Sequence, residues 1–248
     1  MTAAPEPLPA SALPATFHLP GLEQQTPWAI GNATILNADL LALFCSVRCP
    51  GDLILKTYDL ARALRDAGVP VIGGFHSPMV KECLRLLLRG QQPVVVCPAR
   101  GIENMRIPAE WRTPLAEGRL LLLSPFNSSQ HRPTAELASV RNDLVAALAH
   151  RVFIAHAAPG GKTEAFARKV LEWGNPLLTL ESPANANLLA LGAQAVRPEG
   201  SAPFTAPIAR GTVRPRLNVA ERSEWPVDAK LRSRARQELP EPGHKVGP

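Results

Sequence analysis

Aromatic residues make up only 5% of the 248 residues, with a single tyrosine, so a platform for stacking bases would have to be sparse. The four cysteines are Cys45, Cys49, Cys83 and Cys97. C-x3-C is a poor spacing for zinc and no Cys/His pair follows it, so no metal is expected. Three of the four fall at or near predicted strand ends and Cys83 on a helix, which fits buried free thiols. No run of about 18 apolar residues is present, and no basic segment followed by a short apolar one opens the chain. No membrane contact is expected, and a reducing cytoplasm suits the thiols. There is no Ser-His-Asp order, no HExxH and no pair of carboxylates placed for acid–base work. The expectation is a protein without catalytic residues or cofactor.

The apolar fraction, 46%, is enough for a real core. The net charge of +6 favours polyanionic partners. Twenty-six prolines concentrate toward the two ends and divide the chain in three. Residues 1–26 read as a Pro/Ala-rich mobile tail, 27–197 as one folded domain, and 198–248 as a disordered tail carrying the basic run Lys230–Arg236. That run is either a solubilising end or an electrostatic arm for nucleic acid.

Between the tails, short apolar runs alternate with helical patterns. Strands are expected at Leu40–Ser46, Val69–Gly73, Pro93–Cys97, Arg119–Leu123, Arg151–Ala157, Pro176–Leu180 and Gln194–Val196. Helices are expected at Asp52–Ala67, capped by Asp52, and at Pro78–Leu88, Pro108–Glu117, Thr134–Ala149, Thr163–Trp173 and Asn185–Leu191. Strands separated by helices imply parallel neighbours. Apolar runs without alternation imply that both sheet faces are covered. The fold class is α/β, a doubly wound Rossmann-like sheet, mostly parallel, with helices on both faces. Ligands of such sheets bind beyond the carboxyl ends of the strands, near the switch in strand order.

The pivotal stretch is Arg141–Glu164, in which a helix, a strand, the turn Pro159-Gly160-Gly161 and a new helix follow one another. A glycine turn opening a helix frees backbone N–H groups at the positive end of the helix dipole, and Lys162 adds a charge beside them. Gly161-Lys162-Thr163 is only the second half of a nucleotide-binding P-loop, because His156 stands where its first glycine belongs. Phosphate binding is expected, and nucleotide hydrolysis is not.

Similar residues follow the other strands. Ser46 and Arg48 lie after the first, Gly73, Gly74, His76 and Ser77 after the second, and Arg100 after the third. Ser124 and Arg132 follow the fourth, and Arg141, Asn142, Gly160, Gly161, Lys162 and Thr163 belong to the pivotal stretch. Small residues admit a phosphate to the backbone, hydroxyls donate to it, and arginine grips it in a fork. Such loops along one edge suit a polyanion crossing the sheet, or one large nucleotide. His76 and His156 lie beside glycine turns and read as hydrogen-bonded loop histidines, with acid–base chemistry the other possibility.

The series Ser46-Val-Arg48, Gly73-Gly74-Phe-His-Ser-Pro, Ser124-Pro-Phe, Arg141-Asn142, Val152-Phe-Ile-Ala and Gly160-Gly-Lys-Thr resembles the DprA/Smf DNA-processing family. Pro176-Leu-Leu-Thr-Leu-Glu-Ser-Pro, Asn185 and Gly192-Ala193 continue the likeness, which covers about Trp28 to Arg197. The resemblance implies an extended Rossmann fold, single-stranded DNA as ligand and a homodimer. It also implies a role in natural transformation with help to a RecA-type recombinase. It places Ser46 and Arg48 on the family's Gly-Ser-Arg loop, and Gly73-Gly74 on its Ser-Gly-Gly turn. Arg141-Asn142 falls on its Arg-Asn-Arg motif, and Gly160-Gly161 on its Ser-Gly-Ser loop. The chain departs from the family at Phe75-His-Ser-Pro-Met79, which replaces an arginine-bearing segment. It departs again at Asp143, which stands for the second arginine of the motif, and in having no winged-helix module. Pro159–Glu164 also resembles, in shortened form, the motif of lysine-decarboxylase-like nucleoside-monophosphate phosphoribohydrolases, in which Glu164 would matter. A nucleotide sensor of the same fold is a third reading.

Overall fold

The structure is a computed structural model that describes residues 4–13, 26–198 and Phe204. Among these residues seven strands run parallel: β3 (Leu41–Phe44), β4 (Val71–Gly73), β5 (Val94–Val96), β6 (Leu120–Ser124), β7 (Arg151–Ile154), β8 (Leu177–Leu180) and β9 (Gln194–Val196). Two more, β1 (Glu6–Pro7) and β2 (Trp28–Gly31), join them through antiparallel pairs. The sheet order is β1-β2-β6-β5-β4-β3-β7-β8-β9. Every residue of β3 to β8 is buried, as strands covered on both faces require.

Six helices among the described residues join the strands: α1 (Gly51–Asp66), α2 (Pro78–Leu87), α3 (Ala109–Ala116), α4 (Ala135–Leu148), α5 (Lys162–Glu172) and α6 (Ala186–Ala190). Leu41, Leu43, Val94, Val96, Leu120 and Leu122 point to the face that α1 and α2 cover with Leu53, Leu60, Leu64, Val80, Leu84 and Leu87. The alternate residues of each strand face the other side, and α4 and α5 pack against β4 and β8 respectively. The expected doubly wound α/β sheet is what forms.

The sequence punctuation works by identifiable hydrogen bonds. Gly68 takes φ +71° after α1, so that its N–H reaches Arg65 O and the next N–H, of Val69, reaches Leu64 O. Only a residue without Cβ adopts that conformation cheaply. Gly174 ends α5 in the same way, with Asn175 N–H on Val170 O. At the start of α1 the expectation needs correcting. Pro50 occupies the N-cap and Gly51 the first turn, with no side-chain cap. Asp52 lies one residue inside and pairs with Lys56 at 3.7 Å.

β1 and β2 have no counterpart among the expected strands. Trp28–Gly31 is short and shows neither alternation nor a continuous apolar run, and only its antiparallel partner Leu121–Ser124 of β6 makes it a strand. Part of the stretch expected as a mobile tail thus joins the sheet. Glu6 and Pro7 pair with Ala29 and Trp28, Leu8 N–H donates to Pro27 O at 2.7 Å, and the Leu8 side chain is buried. Beyond β9, Phe204 is buried edge-on to Phe153 at 6.1 Å, and its carbonyl accepts from Arg151 at 3.1 Å. The basic run at Lys230–Arg236 lies outside the described residues. All four cysteines are free thiols, with Cys49 half-buried and the others buried. Burial pushes the Cys83 and Cys97 thiols up to about 12.

Candidate functional site

The strand order sets the site. From β3 the chain steps outward through β4, β5 and β6, then returns to the opposite side of β3 as β7. The loops after β3 and β7 therefore leave in opposite directions, and in sheets of this kind the ligand crevice lies between such loops, at the carboxyl ends of the strands. Two hydrogen bonds join these loops. Ser46 N–H donates to His156 O at 2.9 Å, and Ser46 Oγ accepts from Ala158 N–H at 3.2 Å. Ser46 thus fastens the crevice, while Val47 and Arg48 beside it are exposed.

The glycine turn after β7 differs from the expected open cradle. Gly160 N–H donates to Glu164 Oε2 at 3.1 Å, and Gly161 N–H to Ala158 O at 3.0 Å. Both glycine donors are thus satisfied internally. Glu164 also accepts from Asn187 Nδ2 at 2.6 Å and from Arg168 at 2.7 Å. The Asn187 amide, then Arg168, then the Gly160 N–H hold its carboxyl below the usual range. A carboxylate folded onto a helix N-terminus also gains from the dipole. What stays open for an anion is the first turn of α5 itself, where Lys162 is exposed and Thr163 half-buried. Helix geometry leaves the first-turn N–H groups without intrahelical acceptors.

The loop after β4 is built around Arg141. This residue of α4 is 1% exposed, and no carboxylate pairs with it among the described residues. Its Nε donates to Asn142 Oδ1 at 2.9 Å and one terminal nitrogen to Cys97 O at 3.0 Å. The other terminal nitrogen lies 3.2 Å from His76 Nδ1. The guanidinium presses so closely on Gly74 that a Cβ there would overlap it. Burial lowers the Arg141 pKa, yet arginine remains charged. Because arginine only donates, His76 Nδ1 accepts and the imidazole proton resides on Nε2. Burial, then the charges of Arg141 and Lys81, lower the His76 pKa and favour this neutral form. Phe75, buried between Gly74 and His76, takes φ +42°, a conformation uncommon outside glycine. Gly73 accepts Cys97 N–H at 2.8 Å, and Ser77 is buried ahead of α2 with its hydroxyl unbonded among the described residues.

Three residues expected to contact a ligand are engaged by partners within the fold. Arg141, expected as a phosphate contact, is shut from solvent and positions the Gly74–His76 loop. Its neighbour Asn142, half-buried, serves as its acceptor. Ser124 is 0% exposed, donates to Arg100 O at 2.7 Å and accepts from Phe126 N–H at 3.1 Å, so it braces two loops. The side chains that the edge presents to solvent are Arg48, His76, Arg132 and Lys162, with Arg100 half-buried. At about 4.8 Å per strand, the ends from β6 to β7 span roughly 19 Å.

One group has no counterpart among the expected site residues. Asn185, fully buried, donates through Nδ2 to Ala155 O, Leu180 O and Thr179 Oγ1, and its Oδ1 accepts from His156 Nδ1 at 3.0 Å. It ties β7 to β8 and holds His156 inward, away from acid–base work at the surface. The family likeness includes this asparagine, but its bracing role depends on partners in β7 and β8 that no local pattern shows.

No protein-family model matches the sequence, and no curated protein matches it. Solved structures do. DNA processing protein A from Helicobacter pylori, described for its single-stranded DNA binding mode, aligns at TM-score 0.62 and 19% identity, over 77% of this chain and 90% of that one. DNA processing protein A from Streptococcus pneumoniae aligns at TM-score 0.66 and 14% identity, over 84% and 76%. The molybdenum cofactor carrier protein of Chlamydomonas reinhardtii is more distant, at TM-score 0.45 and 13% identity. The resemblance carried by the strand-end motifs thus extends to three dimensions: this chain has the fold of DNA processing protein A.

Proposed function

We propose that the protein is a non-enzymatic single-stranded DNA-binding protein of the DNA-processing class, working in the cytoplasm. The strand lies along the carboxyl edge of the sheet from β7 toward β6. Arg48, Arg100, Arg132 and Lys162 neutralise its phosphates. The α5 first turn and the loops at Ser46 and Gly74–His76 supply neutral donors. The observation that carries this reading is the row of exposed basic side chains on one sheet edge, in a fold shared with a protein described as binding single-stranded DNA. By the family resemblance, the protein acts as a homodimer in natural transformation and hands its strand to a RecA-type recombinase. Glu164, engaged by three donors on the flank of α5, weighs against its use as a phosphoribohydrolase carboxylate.

The test is fluorescence anisotropy of a labelled single-stranded oligonucleotide at several salt concentrations, with duplex competitor. Four phosphate contacts give a log–log slope of about −3 on single strands. Lys162→Ala or Arg48→Ala should each flatten it by about 0.7. Binding no tighter than that of a Lys230–Arg236 peptide, or equal preference for duplex, would defeat the proposal.

A further inference from the structure

α4 and α5 both begin at the carboxyl edge of the sheet, and they face each other across a groove of about 400 Å³. Glu136, Ser139 and Asp143 line it from one face of α4, and Lys162, Phe166 and Lys169 from one face of α5. The spacing of three to four residues is what puts each set on one face.

The groove is chemically uneven. Phe166 is half-buried and its ring meets Phe44 edge-on at 4.8 Å, which fixes an apolar wall. Asp143 is 6% exposed. Its Oδ2 accepts from Lys169 Nζ at 2.8 Å, whereas its Oδ1 is buried and accepts no hydrogen bond among the described residues. A carboxylate oxygen has about two acceptor positions, and leaving them empty out of water is costly. An N–H donor entering the groove would satisfy them. A phosphodiester would not, since it brings only acceptors and no N–H or O–H donor. Lys162, exposed at the mouth, is placed for a phosphate outside.

We propose that this groove is a nucleobase subsite that takes one base of the bound strand, Phe166 against its face, Asp143 accepting from its amino group and Lys162 on the adjoining phosphate. The inference rests on the single-strand reading above. Cytosine and guanine carry amino donors that a carboxylate accepts. Thymine has no amino group, and its N–H lies between two carbonyl oxygens that the carboxylate repels. The subsite therefore selects amino-bearing bases over thymine.

The experiment compares equal-length cytosine and thymine homopolymers on the full chain by anisotropy, at mildly alkaline pH. Tighter binding of the cytosine strand by about tenfold is expected, within the range of a good base contact. Asp143→Asn should remove most of that preference. Because Asn there could disturb the fold, Ser139→Trp provides a second route: it fills the groove from an exposed position and should bring the cytosine affinity down to the thymine value. Salt-sensitive binding of both strands with equal affinity overturns this inference and leaves the single-strand reading intact. A preference that survives both substitutions also overturns it. Binding of neither strand overturns both.

Discussion

A buried guanidinium with no carboxylate beside it depends on neutral acceptors and a close-fitting wall, and Arg141 has both. Gly74 is the wall. Gly74→Ala forces a methyl group into the guanidinium, and overpacking of this kind costs about 1–3 kcal/mol. Chemical denaturation should show the loss. Arg141→Ala separates positioning from contact. It should weaken DNA binding through the Gly74–His76 loop while changing the salt slope less than Lys162→Ala does. A slope flattened as much as by Lys162→Ala would make Arg141 a phosphate contact after all. His76 gives a pH signature. Its folded pKa lies below its ordinary 6.5, so as pH falls through that value the unfolded chain takes up the proton first and stability declines. Glu164 acts in a lower window: its stabilisation is present above the ordinary carboxylate range and is lost as pH falls through its depressed pKa. His76→Gln should flatten the first decline in a denaturation series and leave the second.

Among the elements, those that came straight from sequence are the ones with strong local punctuation. α1 and α5 end where Gly68 and Gly174 supply a left-handed residue, and β5 forms where three valines follow a proline. β1 and β2 lack such signals and depend on distant partners. Leu8 tests how far the N-terminal segment belongs to the fold. It is 3% exposed, and Leu8→Ala should lower the unfolding free energy by about 2 kcal/mol. A variant as stable as the wild type would return this segment to the role of a tail. At the other end, Phe204 fills a position against Phe153, so a chain ended at Arg197 should unfold at a lower denaturant concentration than one ended beyond Phe204.

For the whole molecule, the crossing from β6 back to β7 decides where a ligand can lie. It places β3 and β7 side by side in register, Phe44 opposite Ile154, and so brings Ser46 and Ala158 within one hydrogen bond although 112 residues separate them. The edge from β7 to β6 then carries its basic groups on four separate loops, an arrangement suited to a chain of phosphates rather than to one. Removing the Lys230–Arg236 run should reduce affinity at low salt more than at high salt while preserving the preference for single strands. Loss of that preference would shift recognition from the sheet edge to the tail.

The α/β alternation, seven parallel strands, six helices within one or two residues at most ends, and the loops that carry small and basic residues are all legible in the sequence alone. These depend on local periodicity and on glycine and proline, which act over a few residues. The sequence also carries a family likeness strong enough to name the fold. Which candidates face solvent is a matter for tertiary contacts. Arg141 and Ser124 look like Arg48 and Ser46 in one dimension, yet the first pair is buried and braces loops while Arg48 is exposed and Ser46 fastens the crevice. The glycine turn has the sequence of an open anion cradle, but Glu164 folds onto it in three dimensions. Asp143 reads as a lost arginine along the chain and stands in the wall of a groove in the fold. Burial, partner choice and free hydrogen-bonding capacity depend on contacts between residues far apart in the chain, and no local pattern encodes them.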